Sequence, residues 1–141
     1  WSAGEFDPAA MAVHGITREH MLGAGLSPWT VIYCLQQMLA RHDMRGKVTL
    51  AGHNLAFDVG FLQRLYRMTG FDYDAQFRHG GLCTKTAALL LEQAGRLNIV
   101  SSSLVDVAAA LGIPYEGKHD ALEDALATAQ VLRRLLGRIS G

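Results

Sequence analysis

A chain of 141 residues, half of them hydrophobic, is long enough for one domain with a sizeable core. Thirteen basic residues balance thirteen acidic ones, which excludes a sequence-wide field drawing the chain to nucleic acid or a membrane, so any polyanion contact must be local. Cys34 and Cys83 lie far apart in apolar stretches with no CxxC pair, which excludes paired-cysteine zinc or redox chemistry; with no leader and no apolar run of membrane length, the expected setting is the reducing cytoplasm.

Residues 1–17 are punctuated by Gly and Pro and are expected to be mostly irregular, with the group VHGIT at Val13 to Thr17 leading into a short helix around Arg18 to Leu22. Ser27 followed by Pro28 is an N-cap with a first-position proline, and it predicts a helix to about Arg41. KVTLAG, from Lys47 to Gly52, reads as a short buried strand, and HNLAFDVGFLQRLYRM after it reads as a helix to about Met68, closed by Gly70. A second strand is expected at about Gly81 to Cys83, running into a helix through AALLLEQAG. Ser102 or Ser103 caps a further helix ending at Leu111, with Gly112 and Pro114 behind it. Many helices and only two short strands are too little for a stable sheet, so either the fold is all-α or strands are missing.

The last helix, in GKHDALEDALATAQVLRRLL, opens with His119, Asp120, Glu123 and Asp124. Asp120 and Glu123 are explained as an N-cap and the returning arm of a capping box. Asp124 shares a face with Ala121, Thr128, Val131 and Leu135, the face expected to meet a core, and no Lys or Arg lies within a turn of it. An ionised carboxylate turned inward costs several kcal/mol (order of magnitude) unless donors or a cation meet it. It reads either as a helix-dipole acid at the rim of the core or as a metal ligand beside a working histidine.

Asp58 repeats the pattern. It falls on the stripe of Phe61, Leu62 and Leu65, in the first turns of a helix that directly follows a strand. Oxygen donors of this kind suit a hard cation, magnesium or manganese, whose shell is commonly completed by water and phosphate. Such ions can clamp the attacking and leaving oxygens of a phosphodiester, and His119 has the pKa range of a general base for the attacking water.

PAAMAVHGIT, AGHNLAFDVGFL and GKHDALEDALATA, with SLVDVAAALGIP between the last two, resemble in order and spacing the DEDDh 3′-to-5′ exonucleases, the superfamily of polymerase proofreading subunits, oligoribonuclease and RNase T. AGHNLAFDVGFL matches the HNxxFDxxFL motif of that superfamily and GKHDALEDALATA its HxAxxDA motif; VHGIT is most similar to the bacterial proofreading type. The resemblance covers the chain from about Asp7 onward and implies a single exonuclease-like domain over residues 1–141, of α/β class and RNase H-like fold, with a mixed sheet flanked by helices. It implies Asp58 and Asp124 as two of four carboxylate ligands for two divalent cations, Mg2+ or Mn2+, and His119 as the general base. His14, Gly15 and Ile16 would line the pocket for the terminal nucleotide, with Asn54 and Phe57 close by. The implied partners are a single-stranded nucleic acid 3′ end and a DNA polymerase subunit. Plainer roles stand beside these: a turn for Gly15, core packing for Phe57, a helix cap for Asn54 and a packed loop histidine at position 14.

The resemblance has one departure. The superfamily opens with Asp-x-Glu on a central strand, and no Asp-x-Glu occurs in this sequence; Glu5-Phe6-Asp7 has the reverse order, and Asp72-Tyr73-Asp74 follows a helix stop. Missing carboxylates and missing strands share one economical cause, a segment of roughly 20 to 40 residues lying upstream of Trp1. Two readings are carried forward: a metal-dependent exonuclease on single-stranded DNA or RNA, and a non-catalytic domain that binds nucleic-acid ends or acts as a scaffold. A stand-alone helical protein leaves the three matches unexplained. GAGLSP lacks the strand and third glycine of a dinucleotide site, and GxSxG, HExxH and GxxxxGK[ST] are absent.

Overall fold

The computed structural model describes residues 8–42, 46–117 and 120–140. Among the described residues, eight helices and two strands follow one another as α1 (Pro8–His14), α2 (Arg18–Ala24), α3 (Pro28–Arg41), β1 (Val48–Gly52), α4 (Leu55–Thr69), α5 (Tyr73–Gln76), β2 (Phe77–Cys83), α6 (Thr84–Gln93), α7 (Leu104–Ala110) and α8 (Ala121–Ser140). The all-α alternative is thereby excluded. β1 and β2 are parallel and joined by the helical crossover through α4, as parallel strands require. Val48 pairs with Phe77, Leu50 with Gly81 and Gly52 with Cys83, with an irregularity between the first two pairs that accommodates extra residues on β2. Among the described residues this pair is the whole sheet.

Most elements lie where the sequence places them. α3 occupies Pro28–Arg41, its first turn capped by Ser27 Oγ accepting from the Thr30 amide at 3.1 Å. α4 ends at Gly70, which adopts φ 74°, and α7 starts behind Ser103. Two segments differ. The stretch expected to be irregular contains α1, because Pro8 suits a first helical position and the alanines behind it favour helix. β2 begins four residues before Gly81, since Phe77, which is almost wholly buried, anchors the start of the strand opposite Val48.

The core has two centres. One gathers Ile32 and Leu39 of α3, Tyr66 of α4 and Phe77 of β2, with Tyr66 packed edge-on against Phe77 at 5.6 Å between ring centroids. Its hydroxyl accepts a hydrogen bond from the Gln36 amide at 3.1 Å, so the buried phenol has a polar partner. The other gathers Ala88 and Leu91 of α6, Val107 and Ala108 of α7, and Val131 and Leu135 of α8, closed from below by Leu97, Ile99 and Ile113. Arg138 Nη1 donates to the Arg96 carbonyl at 2.8 Å, and Arg96 donates back to the Arg138 carbonyl, which clasps the end of α8 to the turn after α6. No described residue between 8 and 26 enters either centre; Val13, Ile16, Leu22 and Leu26 are exposed. Among the described residues, no helix is long and apolar enough to cross a membrane.

Candidate active site

β1 ends at Gly52, and the chain turns into α4 through His53 and Asn54. Asn54 makes that turn in the left-handed region, at φ 64° and ψ 42°, a conformation asparagine tolerates better than most side chains. Its side chain makes no capping hydrogen bond, so Asn54 serves the turn through its backbone. Leu55 then packs onto the strands because Gly81 has no side chain: a Cβ there would lie 2.4 Å from Leu55 Cδ2 and 2.6 Å from the Leu50 carbonyl oxygen. Gly52 is similarly placed, with Asp58 Oδ2 3.6 Å from the position of its absent Cβ. The elbow therefore delivers Asp58 to the end of β1.

There lies a cavity of about 610 Å³, within the range typical of ligand sites. Ala51, Gly52, His53 and Asp58 form one wall; Ser103, Leu104 and Val105 at the start of α7 form another; Tyr115 and the Ala121–Asp124–Ala125–Thr128 face of α8 close it. Small side chains on α8 keep the space open. Asp58 and Asp124, far apart in sequence, thus face one cavity from two helices.

The two aspartates differ in setting. Asp124 is half-buried on the face that also presents Thr128, Val131 and Leu135 to the core, as the periodicity predicts. With no cation beside it in the helix, the donor it requires is Tyr115, whose hydroxyl donates to Asp124 Oδ1. Burial, that hydrogen bond and the charges of Asp124 and Glu123 push the Tyr115 phenol up to about 12, so it stays a donor. Asp58 is exposed, which corrects the expectation of a core-facing slot. The buried stripe of α4 is instead carried by Leu55, Tyr66 and Thr69, and Phe61, expected inside, is exposed with Asp58. Asp58 on α4 lines the cavity instead.

His53 links three elements. Its Nδ1 lies 2.9 Å from Thr84 Oγ1 at the start of α6, and its Nε2 lies 2.9 Å from the Ser102 carbonyl oxygen before α7. Burial lowers its pKa from the ordinary histidine value, Lys85 adding to the effect and the Ser102 carbonyl opposing it. Ser103, the N-cap of α7, accepts from the Asp106 amide at 3.1 Å while its hydroxyl donates to Asp106 Oδ2 at 2.9 Å; Ser101 donates to the same oxygen. These hydroxyls lower the Asp106 pKa.

The other expected site residues lie elsewhere. His14 closes α1, Gly15 follows it at φ 68°, and the Ile16 amide donates to His14 Nδ1 at 3.0 Å; none of the three lines the cavity holding the aspartates. Phe57 is exposed and paired with Phe61 at 4.9 Å between centroids, so it is not a core residue. Asn54 borders a separate cavity of about 370 Å³ with Cys83. Burial acts to raise the Cys83 thiol, but hydrogen bonding to the hydroxyl and amide of Thr86 and to the Leu55 and Asn54 amides brings it down to about 7. The cysteines also depart from expectation, since Cys34 is exposed and Cys83 sits among polar donors. His119 lies outside the described residues, one position before Asp120, whose Oδ1 accepts from the Leu122 and Glu123 amides at 3.0 Å and caps α8 as expected.

Sequence reasoning did not assign site roles to His53, Tyr115 or Ser103. The signals were a histidine at a strand end, a tyrosine close before the charged helix, and a run of three serines.

Two carboxylates facing an open cavity, whose lining histidine, His53, has both ring nitrogens engaged, fit a magnesium- or manganese-type ion that takes one or two protein carboxylates and completes its shell with water and phosphate. Among the described residues no third His, Cys, Asp or Glu joins them. No curated protein matches the chain. A family model described as an exonuclease, RNase T, matches residues 3–132, a span that takes in the elbow, both aspartates and most of α8. With the paired aspartates and the parallel strands already in place, that match makes the chain a member of the RNase T exonuclease family of the DEDDh superfamily, with an α/β, RNase H-like fold.

Proposed function

We propose that this protein is a divalent-metal-dependent 3′-to-5′ exonuclease that hydrolyses the terminal phosphodiester of single-stranded DNA or RNA and releases nucleoside monophosphates. The observation that carries the reading is the convergence of Asp58 and Asp124 on one cavity from helices far apart in sequence. When bound, Mg2+ or Mn2+ would supply Lewis-acid activation of water and a phosphate oxygen. Asp58, exposed on α4, and Asp124, oriented by Tyr115, would hold the ions. His119 removes the proton from the attacking water, a task suited to a histidine near neutral pH. His14, Gly15, Ile16, Asn54 and Phe57 contact the terminal nucleotide in this reading; the exposed Phe57–Phe61 pair offers an aromatic face for a base. A polymerase subunit as partner, a proofreading role and a cytoplasmic setting belong to the same proposal.

The test is degradation of a single-stranded oligonucleotide labelled at its 5′ end by the full chain in Mg2+. A ladder shortening from the 3′ end, abolished in Asp58→Asn and in Asp124→Asn and reduced in turnover by His119→Ala, is expected. Full activity in either aspartate variant removes the metal assignment. Retarded migration of the oligonucleotide with no shortening favours the end-binding, non-catalytic domain.

A further inference from the structure

His53 is none of the residues to which the reaction above is assigned, yet its ring joins two walls of the cavity. The Ser102 carbonyl can only accept, so His53 Nε2 must carry a proton and donate to it across 2.9 Å. On the other side of the ring, Thr84 Oγ1 stands 2.9 Å from Nδ1 and 3.2 Å from the Gly52 carbonyl, and it has one proton to give. With the ring neutral and Nε2 protonated, Nδ1 is an acceptor and shares that proton with the Gly52 carbonyl. The tautomer is thereby set by the two neighbours, and the ring is fixed in its plane by bonds at both nitrogens.

The consequence lies in what Ser102 is attached to. Ser103, the next residue, caps α7 and lines the cavity together with Leu104 and Val105. His53 sits at the end of β1, at the elbow that delivers Asp58. We propose that His53 is a positioning residue of the site: its Nε2–H holds the Ser102 carbonyl, and with it the Ser103–Val105 wall, at a fixed spacing from the Asp58 elbow. It touches neither reacting atoms nor metal; it sets the width of the cavity in which they meet. Displacements of about 1 Å at such a wall can cost about a hundredfold in rate.

The inference rests on the hydrolytic reading, and the experiment separates the two. In the full chain, His53→Gln places an amide donor near the position of Nε2, whereas His53→Asn is too short to reach Ser102 and retains only the Thr84 side. His53→Asn is expected to lower kcat about tenfold or more, the scale on which indirect supports act, with KM nearly unchanged, and His53→Gln to recover most of that loss. Wild-type kcat in His53→Asn, or equal losses in both variants, overturns the proposal. Long-range proton–nitrogen NMR on the unmodified protein reads the same point without a variant: an Nε2–H tautomer is expected, and an Nδ1–H tautomer overturns it. If the wild type hydrolyses no oligonucleotide in Mg2+ or Mn2+, the nuclease reading fails on its own. Amide exchange then still tests His53: faster exchange at Ser103 to Val105 in His53→Asn but not in His53→Gln supports the pin, and equal exchange in both rejects it.

Discussion

At the scale of single residues, three polar groups in and beside the site are answered by neighbours. Asp124 has Tyr115, Asp106 has Ser101 and Ser103, and His53 has Thr84 and Ser102. His53 gives a pH prediction whose sign can be worked out. Burial holds its folded pKa below the ordinary value of 6.5, so the unfolded chain binds the proton more readily. The stability it contributes is complete above pH 6.5, declines as pH falls through that value, and levels off once the pH is below the folded pKa. Urea melts from pH 7.5 to 5 should show a decline in the wild type that is smaller in His53→Gln; an identical decline in both would reject the assignment. Legibility at this scale was uneven. Asp124 was readable because helix periodicity fixes which face it shares, and the prediction that it needed a donor was met by Tyr115, nine residues earlier across a loop that periodicity does not describe. The exposure of Asp58 was not readable, since a stripe pattern says which residues align and not whether they meet a core or a cavity.

At the scale of elements, the β1–elbow–α4 unit places Asp58, and its packing depends on an absent side chain. Gly81 pairs with Leu50 while Leu55 packs over it. Gly81→Ala should push Leu55 outward, cost about 1–3 kcal/mol of stability, and disturb Asp58 through the elbow. Denaturant unfolding checks this, and a stability unchanged within about 0.5 kcal/mol would show that the elbow accommodates a methyl freely. The sequence announced the start of α3, the end of α4 and the start of α7 because cap residues and glycine act locally. The early start of β2 was hidden because Phe77 earns its place through Tyr66 of α4 and Val48 of β1, contacts made across the fold. α1 was missed for the opposite reason: glycine and proline nearby suggested a loop, whereas Pro8 opens a helix.

At the scale of the whole molecule, β1, α4, α7 and α8 each contribute side chains to one cavity. The arrangement explains why motifs spread along the sequence converge: HNLAFD turns at the sheet end, SSSLVD caps the facing helix, and DALED, from Asp120 to Asp124, opens the helix that closes the cavity. The most direct measurement is the binding of Mn2+ to the full chain, followed by electron paramagnetic resonance, for the wild type, Asp58→Asn and Asp124→Asn. Shared ligation predicts saturable binding in the wild type that weakens at least about tenfold in each variant, with thermal stability little changed. Binding of equal strength in all three proteins would contradict the claim that Asp58 and Asp124 form one metal site.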